Sequence, residues 1–264
     1  MNGQTSSWYE IQNIEAVDSP ALVVYPDRVA ENIVTCIDIA GDKERLRPHV
    51  KTHKVGQVAK MHIDHGITRF KCATIAEAEM LADASATEVL LAHQPVGPKK
   101  DRIIALATAF PKTTFGFLVD NEETLTSMEA KAAAAGATLQ AWIDINNGMN
   151  RSGIEPGPAA LALYKAIIAT PSLTPGGLHV YDGHFRQSLF DERQEASDAG
   201  FQAVYLLLDK LKADGIKVPA VVAGGSPTFP VHALRAEIEL SPGTYVYWDA
   251  GYGEKFPDMP FKHA

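Results

Sequence analysis

The sequence predicts an α/β fold, a (β/α)8 barrel of TIM type, and three observations predict it. Short apolar runs recur eight times along the chain. Each run but the last is followed by a segment of helical length and spacing. No long linker, repeat or low-complexity tract interrupts the series. Strands alternating with helices imply parallel βαβ units. Eight such units in roughly 200 residues suit a barrel near the lower end of its usual size. A doubly wound open sheet shares this periodicity, because hydrophobic spacing does not report whether a sheet closes.

Taken in order, the first run is 21–25 (ALVVY), followed by Pro26 and a helical pattern to residue 40. Proline is favoured at the first helical position, where no backbone N–H is needed. The second run, 46–50, leads to helical spacing over 55–65. The third, 69–73, precedes TIAEAEMLADA, whose Ile75, Ala78, Met80, Leu81 and Ala82 suit one buried face. The fourth, 88–92 (EVLLA), precedes a helix near 99–110. The fifth, 114–119, precedes an Ala-rich helix over 121–135, stopped by Gly136. The sixth, 138–145, precedes a helix near 158–169. The seventh, 173–181, precedes a long helix near 192–214, and the eighth is 218–223.

Charge and composition narrow the function classes. The 264-residue chain carries 24 basic and 32 acidic residues, a net charge of −8, which argues against nucleic acid held through its phosphates. Cys36 and Cys72 lack metal-type spacing and read as buried, reduced thiols. No apolar stretch has the length of a membrane span, and MNGQTSSWYE has no signal-peptide core. A cytoplasmic protein with neither a membrane nor a nucleic-acid partner is expected.

The chemistry concentrates in the loops after the runs. Lys51 lies in RPHVKTHK, at the end of the second run. Neighbouring cations and partial desolvation both disfavour an ammonium, which frees the amine as a nucleophile toward an aldehyde. Pyridoxal phosphate (PLP) is the commonest aldehyde cofactor. The competing reading is a solvated basic loop. Arg151 lies in NNGMNRSG after the sixth run, where its planar cation suits a phenolate or carboxylate. His179 and Tyr181 alternate along the seventh run and share one side of it. His184, just beyond, is a candidate for proton transfer. Gly224-Gly225-Ser226 follows the eighth run, with backbone N–H groups and a hydroxyl suited to an anion. In a barrel all these loops share the C-terminal rim, where active sites form. His49 and His53 are not read as a metal pair, since Pro48 and the loop spoil helical i, i+4 geometry. His62 and His65 read as capping or lining the surface of a helix.

RPHVKTHK, KCATIAEAEML, NNGMNRSG, LHVYDGH and GGSPT also occur in the order found in the D-threonine aldolase and D-serine dehydratase family. Over roughly 18–249 the chain resembles this family of fold-type III PLP enzymes with an alanine-racemase-like barrel. The resemblance implies that Lys51 is the Schiff-base lysine and that Arg151 lies near the cofactor's phenolic oxygen. It further implies that Tyr181 and His179 contact the cofactor ring, and that Gly225 and Ser226, helped by Thr244 or Tyr245, bind its phosphate. A PLP-binding barrel over 18–240 is expected, with 1–17 and 241–264 as the remnants of a C-terminal β domain that is otherwise missing.

The implied reaction is that of a PLP-dependent lyase on D-β-hydroxy amino acids, aldolase-like, giving glycine and an aldehyde. D-serine dehydratase chemistry is the alternative within the family, and a non-catalytic PLP carrier is the alternative outside it. The family also implies a homodimer and a divalent metal, Mn or Zn. No His-X-Asp or His-X-Cys pair for that metal follows the PGTYVYWD segment in this sequence, so no metal ligand is assigned.

Overall fold

The computed structural model describes residues 7–264. Seven parallel strands run in chain order: β1 (Arg69–Cys72), β2 (Glu88–Leu91), β3 (Thr114–Val119), β4 (Leu139–Ile145), β5 (Leu173–Val180), β6 (Val221–Ala223) and β7 (Ile238–Leu240). Residues 46–50 take the remaining barrel position without forming a regular strand. Leu46 bridges Leu240 and His49 bridges Lys71, both in parallel sense. Arg47 N donates to Leu240 O at 2.8 Å, and Lys71 N donates to Pro48 O at 2.9 Å. The two ends of the sheet are thus joined through this segment, and the barrel closes.

Two expectations need correction. Residues 21–25 form no strand; Leu22 is 84% exposed, and the run ends as the entry to α1 (Pro26–Ala40). The barrel position expected there belongs to 46–50. The eighth position is filled instead by β7, which sequence reading passed over. Its three residues include a charged one, Glu239, so neither apolar length nor a run of alternation marks it.

The helices follow from local chemistry. After α2 (Gly56–Asp64), α3 (Ile75–Asp83) opens on a capping box: Thr74 Oγ1 accepts from Glu77 N, and Glu77 Oε2 accepts from Ala73 N. Next come α4 (Lys99–Ala109) and α5 (Glu122–Ala135), whose first turn is capped by Asn121 Oδ1 accepting from Thr124 N. α6 (Pro158–Ala169), the long α7 (Phe190–Ala213) and the one-turn α8 (Phe229–Ala233) complete the shell. Residues 241–264, expected as the start of a β domain, hold a 3-10 turn (Thr244–Val246) and a short α9 (Ala250–Lys255). Phe256, Met259 and Phe261 from this stretch are buried in the main core. Asn32 of α1 anchors it, donating to Lys262 O and accepting from Lys262 N, both at 2.7 Å. Residues 1–6, part of the expected remnant 1–17, lie outside the described residues; 7–17 carry a 3-10 turn at Ile14–Ala16.

Strand alternation divides the interior in two. Phe70, Cys72, Val89, Leu91, Phe117, Ile143, Leu178 and Val180 face the helices and join the large core. Inside the barrel Leu90, Leu118, Trp142 and Val222 form a small apolar layer, with Ala92 and Ala220 packed against it. Below it, toward the N-terminal end, Arg47 pairs with Glu88 and Glu239 at 2.8 Å each, and Arg69 pairs with Glu239 at 2.6 Å. Beyond it, toward the C-terminal rim, the inward positions are Lys71, Asp144 and His179, all buried.

The histidines near the seam depart from the expected surface role. His62 is 1% exposed, with Nε2 2.5 Å from the Tyr245 hydroxyl. Burial lowers its pKa to about 4, and lowers that of its stacked neighbour His53 to about 3. The unfolded chain therefore binds protons between pH 6.5 and 4 that the folded chain does not, so stability falls on acidification through that window. For His62 alone the loss is roughly 3 kcal/mol. Urea midpoints at pH 7 and pH 4.5 should diverge in the native chain and converge partly in His62→Gln.

Candidate active site

The rim loops are shaped by hydrogen bonds to their own side chains. In 146–153, Asn146 Oδ1 accepts from Gly148 N and Asn150 N, while its Nδ2 donates to Asn150 Oδ1. Gly153, at φ 94°, sits where a Cβ would fall 2.8 Å from Asn146 N. The loop is thereby folded back on β4, and it carries Arg151 over Tyr181 with Cζ 4.9 Å from the ring centroid.

Lys51 stands on a 3-10 turn, Val50–Thr52, where His49 Nδ1 accepts from Lys51 N at 3.2 Å. Its Nζ lies 5.5 Å from the Tyr181 ring centroid. Partial burial, then the Arg151 guanidinium, lower its pKa from that of an ordinary lysine; Glu77 acts weakly against them. Burial raises the Tyr181 phenol, and Arg151 opposes it.

Gly225 and Ser226 follow β6, the seventh barrel position and not the eighth as the sequence suggested. The loop after β7 completes the arrangement: Ser226 Oγ accepts from Gly243 N at 3.2 Å and Thr244 N at 2.9 Å. Phosphate sites in such barrels form from these last two loops. Gly225 lies so close to Tyr181 that a Cβ there would sit 2.9 Å from its ring. Behind it, Thr228 Oγ1 accepts from Gly225 N and donates to Asp182 Oδ1, and His232 Nε2 lies 2.7 Å from Asp182 Oδ2.

Two adjoining hollows meet at Tyr181. One is walled by Lys51, Lys71, Gly225, Ser226, Ser241 and Thr244, with Tyr252 of α9 at its edge. The other is walled by His93, Asp144, Asn146, Arg151 and His179. A wider surface hollow between α2 and α3, lined by Gly56, Lys60, Glu79 and Met80, lacks any such convergence.

Of the expected residues, Lys51, Arg151, His179, Tyr181, Gly225 and Ser226 come together. His184 does not. It is exposed, its ring 3.9 Å from that of Phe185 and close against Gly148, and it lines neither hollow. β5 ends at Val180, and the chain then turns outward toward α7, carrying His184 with it. Tyr245 is likewise absent from the cradle, being buried against His62, whereas Thr244 lines it.

Lys71, Asp144 and Ser241 were not anticipated. Lys71 Nζ lies 3.2 Å from His179 Nε2, and His179 Nδ1 lies 2.8 Å from Asp144 Oδ1. The buried Ser241 hydroxyl has no protein partner. The available signal was a charged residue within an otherwise apolar strand for Asp144, in AWIDI, and was lacking for Lys71, since RFKC also carries Arg69.

The pattern of the alanine racemase N-terminal domain matches residues 24–250, most of the chain. The chain belongs to that family. Within it, the chain is 30% identical over 244 residues to a 3-hydroxy-D-aspartate aldolase of Paracoccus denitrificans (strain Pd 1222), covering 90% of this chain and 62% of the relative. It is 26% identical to a D-threo-3-hydroxyaspartate dehydratase of a Delftia species (strain HT23), covering 88% and 62% respectively. The crystal structure of D-threonine aldolase from Filomicrobium marinum superposes with a TM-score of 0.85 at 32% identity, covering 94% of this chain and 68% of that one. The chain thus spans less than two thirds of the two curated relatives. Alanine racemase N-terminal family membership, in its D-threonine-aldolase-like branch of fold-type III, implies PLP.

The hollow fits that cofactor. A partnerless hydroxyl at Ser241, the close approach of backbone at Gly225 and a pKa-lowered amine at Lys51 are the parts that a phosphate and an aldehyde require. For a divalent metal the fit is absent: among the described residues no three His, Cys, Asp or Glu side chains converge.

Proposed function

We propose that this chain is a PLP-dependent lyase for D-β-hydroxy amino acids, and that it cleaves them to glycine and an aldehyde as an aldolase. The observation that carries this reading is the placement of the Lys51 amine beside Tyr181, facing the hydroxyls of Ser226, Ser241 and Thr244. PLP, when bound, supplies an electron sink for breaking a bond at the substrate's α-carbon.

Lys51 would hold the cofactor's aldehyde, and its lowered pKa suits Nζ to take up and return a proton once released. Arg151 would face the phenolic oxygen as a permanent cation. Gly225, Ser226, Ser241 and Thr244 would hold the phosphate. His179 and Tyr181 would bound the ring on the barrel side. No step is drawn through a metal.

Dehydration is the second reading, favoured by the likeness to the hydroxyaspartate dehydratase. The experiment is an assay of the protein with PLP, with and without Mn²⁺ or Zn²⁺, on D-threonine, D-serine and 3-hydroxy-D-aspartate. Glycine with an aldehyde supports the aldolase. A 2-oxo acid with ammonia supports the dehydratase. A bound, coloured cofactor without turnover leaves the carrier, and no bound cofactor removes all three.

A further inference from the structure

Lys71 is a buried group at the site for which the proposed chemistry has no use. It projects inward from β1 at 2% exposure, lining the Lys51 hollow and reaching the His179 ring with its ammonium end. The barrel's register explains the contact. His49 bridges Lys71 on one side of the seam, and Asp144 pairs with His179 between β4 and β5, so the inward side chains form one layer.

With Lys71 as the ammonium, the hydrogen bonds in that layer take one assignment. A lysine amine donates and a carboxylate accepts. Lys71 Nζ therefore donates to His179 Nε2, and His179 Nδ1–H donates to Asp144 Oδ1. Asp144 is itself fixed, with Oδ2 accepting from Ser152 Oγ and Gln94 Nε2. The imidazole is clamped at both nitrogens.

We propose that Lys71 is a positioning residue of this site, which holds His179 neutral, as the Nδ1–H tautomer, and in one orientation against the Arg151 hollow. The charge balance agrees. Asp144 alone would favour an imidazolium, but burial and then Lys71 oppose it. Lys71 faces Lys51 and Arg47, which disfavour its charge, and Asp144 and Asp182, which favour it; burial outweighs these and its pKa falls to about 7. His49, also facing the pair, is kept neutral by burial and by Lys71, and Tyr181 presents its ring to the amine at 5.8 Å. One proton is thus contested between Lys71 and His179, and Lys71 holds it.

The test is ¹⁵N NMR of the nine histidines in the full chain without cofactor, the His179 signals being assigned by their loss in His179→Gln. The native chain should show neutral His179 with the proton on Nδ1 from about pH 6 to 9. In Lys71→Met, His179 should become an imidazolium with its midpoint raised by about one pH unit or more, because a cation beside it is gone. Lys71→Arg should restore the neutral form. An Nε2–H tautomer in the native chain overturns the proposal even if no variant folds. So does an unchanged His179 titration in Lys71→Met. The functional role rests on the cofactor reading, and the NMR result does not. With PLP added, Lys71→Met should bind the cofactor but shift the pH midpoint of its absorbance, whereas an unshifted midpoint reduces Lys71 to packing. A native chain that binds no PLP would sink the cofactor reading and leave the clamp standing.

Discussion

Lys51→Ala should lose the visible absorbance of lysine-bound PLP and reduce turnover by about three orders of magnitude or more, since the covalent anchor is removed outright. The comparison that gives this result force is Lys71→Met, which should keep the absorbance. Two amines lie within 6 Å of the Tyr181 centroid, at 5.5 Å for Lys51 and 5.8 Å for Lys71. Lys51 stands on a rim turn open to solvent and to an entering aldehyde, while Lys71 is sealed in the barrel and engaged with His179. Absorbance spectra of the two variants decide which amine carries the cofactor. Retention of the band in Lys51→Ala would overturn the assignment.

Arg47→Ala should destabilise the fold by about 3–5 kcal/mol, the cost of removing a buried guanidinium from between two partly buried carboxylates. Arg47 is 2% exposed, bonded to Glu88 and Glu239, with its guanidinium 5.1 Å from the Trp142 ring centroid. Glu239 retains Arg69, so the lower half of that range is expected. Arg47→Met should cost less than Arg47→Ala, because the stem's packing survives, and the surface pair Lys60–Asp64 sets the scale for comparison: Lys60→Ala should change stability by under about 1 kcal/mol. Urea denaturation of the three variants measures the differences. Equal midpoints for Arg47→Ala and Lys60→Ala would show that the network below the apolar layer adds no stability.

Much of this site was legible because barrel chemistry is written at strand ends. Lys51, Arg151, Tyr181 and Ser226 each follow a recognisable apolar run, and closure of the sheet brings those ends together. Side-chain alternation also placed His179 and Tyr181 on one side, and Leu178 and Val180 facing the helices show which side it is. Where the expected strands and the observed ones differ, the apolar signal was weak or misled. Residues 46–50 make bridges instead of a ladder, β7 is three residues long, and 21–25 is apolar yet largely exposed. Lys71 reads as an ordinary surface lysine until Phe70 and Cys72 are known to face outward, which turns it into the barrel. His184 fits the chemistry by residue type alone. Its position depends on how the loop leaves β5, which residue type does not encode.

The seam between residues 46–50 and β7 also sets an order of events in time. Lys51 is made well before Ser241, Gly243 and Thr244. On a ribosome the nascent barrel would present its lysine long before the hydroxyls that face it exist. An aldehyde met at that stage would find an amine with no cradle. The hydroxyl-lined hollow is therefore complete only once the last turn of the barrel has been made, and its completion is itself the sign that synthesis has passed the seam.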